Sequence, residues 1–156
     1  MDALTSGDVI GPDDPLSADL DLVIDRHARH CHESSPPESV HMLDRAALVG
    51  VDFFSLRRDG RVLAMGALKH LSPDQGELKS MHVLVEYRGQ GLSRAMLDHL
   101  IDHARALGMS RLWLETGAEP VFAPARALYQ RAGFAECPPF GDYRPDPNSV
   151  FMTRAI

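Results

Sequence analysis

Residues Val83–Leu97, VLVEYRGQGLSRAML, set an apolar run, a polar stretch with two glycines and an amphipathic run end to end. That order is a strand, a tight loop and a helix in immediate succession, a unit that needs a sheet with helices packed on it. A loop from a strand's C-terminal end to a helix's N-terminus presents unpaired backbone N–H groups at the positive end of the helix dipole. Glycine at 89 and 91 lets the backbone turn tightly and approach an anion with no Cβ in the way, and Arg88 adds a charged donor. In isolation the R-G-x-G pattern also reads as an ordinary turn with a surface arginine, and it matches neither G-x-x-x-x-G-K-[ST] nor G-x-G-x-x-G.

The flanking sequence extends the pattern. The first sixteen residues, rich in Asp, Pro and Gly, predict a loose arm with a short strand at Asp8–Ile10. From Ser17, apolar residues at helical spacing predict a helix to about Glu33, and Pro36-Pro37 precede a second, short helix over Glu38–Arg45. VDFFSLRRDGRVLAMGALKH reads as two strands joined at Asp59-Gly60, and GELKSMHVLV as a third. A helix over Ser93–Leu107 stops at Gly108, SRLWLETG is a strand, and PARALYQRAGF is a helix capped by Gly133. Strands at Phe134 and Ser149–Thr153 close the chain. The expectation is one domain over 1–156, a mixed sheet with helices on both faces.

At 156 residues the chain is long enough to fold on its own core. A net charge of −6 has the wrong sign for holding nucleic acid over a broad basic face. Cys31 and Cys137 lack metal-type spacing and suit a reducing compartment. The acidic start has no signal-like apolar region and no run approaches the ~20 residues of a membrane span, so a soluble, cytoplasmic protein without membrane partners is expected. RHARHCHE carries His27 and Cys31 at i,i+4, but both fall on the helix's inward stripe, and no metal is expected.

Arg88-Gly89-Gln90-Gly91-Leu92-Ser93 resembles the Q/R-x-x-G-x-G/A motif of the GNAT N-acetyltransferase superfamily, with Ser93 replacing the final Gly or Ala. The segment MHVLVEYRGQGLSRAMLDHLIDHARALGMSRLWLETG resembles that superfamily's fourth strand, phosphate loop, third helix and fifth strand, and ARALYQRAGF its A-x-x-L-Y-x-x-x-G-F helix. SPPESVH, GELKSM, LETG, PFGDY and DPNSVFMT further resemble a bacterial subgroup. The resemblance implies a central, mostly antiparallel twisted sheet of six or seven strands, about four helices, and a splay between the fourth and fifth strands. It implies an enzyme that uses acetyl-coenzyme A and an amine acceptor, with a homodimer left open.

Carried over by position, Arg88, Gly89, Gln90, Gly91, Leu92 and Ser93 would hold the pyrophosphate. His82, Val83, Leu84 and Val85 would line the pantetheine arm, Val83 and Val85 pairing with it as an added strand. A backbone N–H near His82 would face the developing oxyanion, while its ring reads as half-buried and neutral. Tyr129 matches the tyrosine that protonates the departing thiolate. Phe122 stands where many members have Asn, and Arg126 is the residue that would take over part of that contact. For the base, Glu77 lies eleven residues before Arg88, the spacing of the histone-acetylating branch. Glu115 in LETG is the second candidate, and a base acting through water is a third reading. On an ideal strand Glu77, Lys79, Met81 and Val83 share a face, unless a bulge breaks the parity.

The acceptor pocket is expected from the least generic segments, with Glu38, His41, Asp142, Tyr143 and Ser149 recognising a cationic or amino-acid-like amine. Turn and capping chemistry explains the same residues. Three functions fit: acetyl transfer to a small amine, transfer to a protein lysine or N-terminus, and acyl-coenzyme A binding without turnover.

Overall fold

Asp59 and Gly60 both take left-handed backbone, φ 52° and 82°, in the two-residue turn whose twist matches its strands. They join β2 (Asp52–Arg58) to β3 (Arg61–Ser72) in a computed structural model that describes residues 4–5 and 7–156. Of the expected N-terminal arm, positions 1–3 and 6 lie outside the described residues; its strand runs as β1 (Asp8–Pro12) along β2. β4 (Gln75–Val83) follows β3, β5 (Arg111–Gly117) lies parallel to β4, and β7 (Ser149–Ala155) sits between β5 and β6 (Ala135–Cys137). The order β1-β2-β3-β4-β5-β7-β6 is antiparallel except at β4–β5.

Alternation along the strands feeds two cores. Phe54, Ala64 and Leu68 pack with Met96, Leu97, Leu100 and Ile101 of α2 (Leu92–Ala106), and α3 (Ala123–Arg131) adds Tyr129 to the same cluster. Phe53, Met65 and Ala67 pack instead with Leu20, Val23 and Ile24, the last two from α1 (Asp21–Ser34). Helices thus cover both faces. Among the described residues no helix is long and apolar enough to cross a membrane.

Three α-helices form among the described residues, and the helix expected over Glu38–Arg45 is not one of them. A 3-10 turn, Pro37–Ser39, begins where the prolines direct it, and the chain is irregular from Val40 to Asp44 before a second turn at Ala47–Gly50. The His41 carbonyl accepts from Lys79 Nζ at 2.8 Å, a tertiary bond in place of a helical one.

Two irregularities in β4 shape the molecule. Between the pairs Ala67–Lys79 and Met65–His82, β4 carries one more residue than β3, and Ser80 takes φ 56°. This bulge breaks the ideal parity: Glu77 and Lys79 stay on the α1 face with His82, whereas Met81 and Val83 pack into the α2 cluster. The partner position, Gly66, is crowded: a Cβ there would meet the side chains of Met96, Leu100 and Met81 at 2.9–3.0 Å, and these would have to shift.

β4 and β5 also pair only over Gln75–Glu77 and Arg111–Trp113. Past that point β4 keeps β3 and β5 keeps β7, so the inner edges of Leu78–Val83 and Leu114–Gly117 diverge with their backbone groups facing the gap.

Candidate active site

The diverging edges open a cleft of about 550 Å³ that runs from the glycine loop past β4 to Glu115 on β5, Tyr129 on α3 and His27, His30 and Cys31 on α1. At its mouth the chain leaves β4 through a 3-10 turn, Val85–Tyr87, and Arg88 Nε donates back to the Val83 carbonyl at 3.1 Å. Gly89 and Gly91 take φ 79° and 78°, so both glycines are required by the backbone itself. Gly91 begins α2 with no side chain capping it, which leaves the helix's first N–H groups available to an anion.

At the inner end, Tyr129 is 7% exposed; burial, with Glu115 as a second cause, pushes its phenol well above the ordinary value. Burial likewise raises the Glu115 carboxyl, against the opposing pull of Ser149, His41 and Lys79. Ser149 Oγ is itself buried and makes no hydrogen bond of ordinary geometry. His82 Nδ1 lies 3.2 Å from His27 Nδ1, and burial lowers the two rings to about 3 and about 4.

A second cavity of about 600 Å³ lies between the front segment and the C-terminal loop, and Glu38, His41, Asp142, Tyr143 and Glu77 line it. Lys79 lines both spaces, as do His41 and Met42. Its Nζ donates to the His41 carbonyl and to Tyr143 Oη at 2.9 Å and lies 3.4 Å from Glu77 Oε2. Tyr143 Oη in turn donates to Glu77 Oε2 at 2.6 Å. Ser39 Oγ adds a second tie between the same segments, donating to Asp146 Oδ2 at 2.7 Å.

The sequence pattern of the Acetyltransferase (GNAT) family matches residues 21–134, from the start of α1 through the cleft-forming elements to just past α3. The chain belongs to the GNAT acetyltransferase family. It is 39% identical over 146 residues to the N-acetyltransferase YsnE of Bacillus subtilis, covering 92% of this chain and 97% of the relative. It is 38% identical over 151 residues to the IAA acetyltransferase of Azospirillum brasilense, covering 94% and 97%. A Klebsiella pneumoniae protein described as an acyl-CoA N-acyltransferase superposes with TM-score 0.76 at 28% identity over 99% of both chains. This chain is accordingly an N-acetyltransferase.

In this GNAT acetyltransferase the residues expected at the phosphate loop lie together: Arg88, Gly89, Gly91, Leu92 and Ser93 all line the cleft, and Gln90 accepts from Arg58 at 3.2 Å. Leu84 instead packs in the α1 core and gives its N–H to the Leu63 carbonyl. Val85 stands in the 3-10 turn rather than on β4, so the strand-like edge ends at Val83. Arg126 binds the Gly117 and Glu119 carbonyls at 2.6 and 3.0 Å, holding the β5–α3 loop. Phe122 lines the cleft and lies so close over Gly117 that a Cβ there would meet its ring at 2.1 Å.

The two carboxylates separate: Glu115 lines the cleft, whereas Glu77 is 2% exposed beside the second cavity and engaged by Lys79 and Tyr143. Glu38, His41, Asp142 and Tyr143 come together there, and Ser149 does not join them. Lys79, His27 and Cys31 are site residues that sequence patterning assigns to a strand face and a helix stripe. The i,i+4 spacing of His27 and Cys31 is the available signal.

Proposed function

We propose that this N-acetyltransferase moves acetyl from acetyl-coenzyme A to the primary amine of a small molecule by direct attack in a ternary complex. One observation carries the reading: the open edge of β4 runs from the capless, glycine-lined start of α2 to Glu115 and Tyr129 within a single cleft. Arg88 and the first N–H groups of α2 suit a pyrophosphate, and the edge from Leu78 to Val83 suits an amide-bearing arm.

Glu115 takes the ammonium proton, directly or through water. Burial raises its pKa toward the working range of a general base, and it alone of the two candidate carboxylates lines the cleft. The N–C bond forms as the C–S bond breaks, and Tyr129, which burial keeps protonated, delivers its proton to the departing sulfur. The second cavity, of about 600 Å³, suits a small acceptor, with Glu38 and Asp142 available to an ammonium group.

A panel of amines, amino acids, lysine peptides and free peptide N-termini, assayed for thiol release from acetyl-coenzyme A, tests this. Turnover confined to small amines and greatly reduced in Glu115→Gln is expected. Preference for peptides would replace the acceptor class, binding without release would mark a non-catalytic module, and no binding of acetyl-coenzyme A would overturn the reading.

A further inference from the structure

His27 and His82 meet from different elements, α1 and β4, with rings edge-on at 5.1 Å and 68°. Their Nδ1 atoms are 3.2 Å apart, a contact that needs a proton on one nitrogen and a lone pair on the other. One turn along α1, Cys31 Sγ lies 3.8 Å from His27 Nε2. The three side chains form a line from α1 to the open strand, and all three line the cleft.

Donor and acceptor chemistry assigns its direction. Sulfur accepts weakly, whereas imidazole nitrogen accepts well, so the thiol donates to His27 Nε2. His27 then carries its proton on Nδ1 and donates to His82 Nδ1, and the proton of His82 is left on Nε2. Burial supports the neutral states this requires, holding His27 near 4 and His82 near 3 and pushing the Cys31 thiol up to about 11. His82 Nε2 makes no hydrogen bond among the described residues, and His82 lines the cleft, which leaves its N–H for a ligand there.

We propose that His82 donates a hydrogen bond from neutral Nε2–H to the acyl carbonyl oxygen of the bound thioester, with His27 and Cys31 as positioning residues that set its tautomer. The inference rests on the acetyl-coenzyme A reading above. His82 is the second residue past the Ser80 bulge, on the open edge and in the same cleft as Glu115 and Tyr129. A neutral imidazole polarises a carbonyl without surrendering its proton. The ring does not serve as the base, because an imidazole this hard to charge does not hold a proton taken from an ammonium near neutral pH.

Imidazole ¹⁵N NMR on the free full-length protein reads the tautomer without any ligand. His82 is expected protonated at Nε2 and unprotonated at Nδ1, and Cys31→Ala or His27→Phe is expected to shift that balance. Infrared spectroscopy of carbonyl-labelled acetyl-coenzyme A on the protein reads the donor: the C=O stretch is expected lower in the wild type than in His82→Phe, with His82→Asn restoring part of the difference. Turnover of His82→Phe is expected to fall roughly 100-fold, as for one lost oxyanion donor, with acetyl-coenzyme A affinity nearly unchanged. A protonated Nδ1 on His82, or an unchanged stretch in His82→Phe that still binds acetyl-coenzyme A, overturns the proposal. A wild type that does not bind acetyl-coenzyme A overturns the cofactor reading, and this proposal with it, whatever the tautomer.

Discussion

Tyr143 Oη donates to Glu77 Oε2 over 2.6 Å, tying the C-terminal loop to a carboxylate buried where β4 and β5 cease to pair. Lys79 completes the clasp from two residues along the strand, its side chain 9% exposed. With both charges withdrawn from water, removing one leaves the other uncompensated.

Glu77→Gln should therefore cost stability first, by about 3 to 5 kcal/mol in urea unfolding, the range for breaking a buried ion pair. Tyr143→Phe should cost less, ~1.5 to 3 kcal/mol, because it removes the hydrogen bonds of Tyr143 Oη to Glu77 and from Lys79 but leaves the ion pair in place. A Glu77→Gln protein as stable as the wild type would show that the clasp does not hold these segments together.

Glu115 should govern the acidic limb of the pH–rate profile. Because burial raises its folded-state pKa, activity should fall as pH drops through a value above the ordinary carboxylate range. The same shift has a stability sign. A carboxyl whose pKa is raised on folding contributes stability below its unfolded pKa, and that contribution is lost as pH rises through the folded value. Glu115→Gln should therefore match the wild type in acid and exceed it in stability near neutrality. Denaturation midpoints across pH check this, and identical midpoint profiles would exclude a raised pKa.

The glycine positions separate two kinds of requirement. At Gly89 a Cβ would meet nothing within 4 Å, so Gly89→Ala carries only the left-handed backbone cost, ~1 to 2 kcal/mol. At Gly117 a Cβ would strike the Phe122 ring at 2.1 Å and force that ring to move in the cleft. Calorimetry should show acetyl-coenzyme A binding weakened in both, while backbone strain alone does not account for the loss in Gly117→Ala. Unchanged binding in Gly117→Ala would remove Phe122 from the cofactor wall.

The sheet, its β2–β3 hairpin and the glycine loop are legible because each has a local signature: alternating apolar residues, a turn dipeptide, and glycines between a strand and an amphipathic helix. The splay has no such signature and is implied only by the family resemblance. Ser80 has none. Its positive φ is imposed by the β3–β4 register, and that bulge moves Met81 and Val83 off the face of Glu77. Pro36-Pro37 does mark a start, but the bond from Lys79, nearly forty residues on, holds the His41 carbonyl outside a helix. Glu38, His41, Asp142 and Tyr143 stand out because their loop segments are unusual. Lys79 escapes notice because a lysine in a strand reads as solvent-facing until its partners are known.

Tyr129 supplies the sharpest test of the leaving-group step. Its ring packs in the α2 core, 6.0 Å from Phe134 between centroids, and burial holds the phenol protonated across the physiological range. Tyr129→Phe keeps the ring and removes only the hydroxyl, so acetyl-coenzyme A affinity should stay nearly constant while turnover falls roughly 100-fold. The loss should be smaller with a thioester whose thiol is more acidic, because such a sulfur departs without protonation. Equal turnover in the two proteins would exclude Tyr129 as the acid. An equal loss with every leaving thiol would assign it to packing instead.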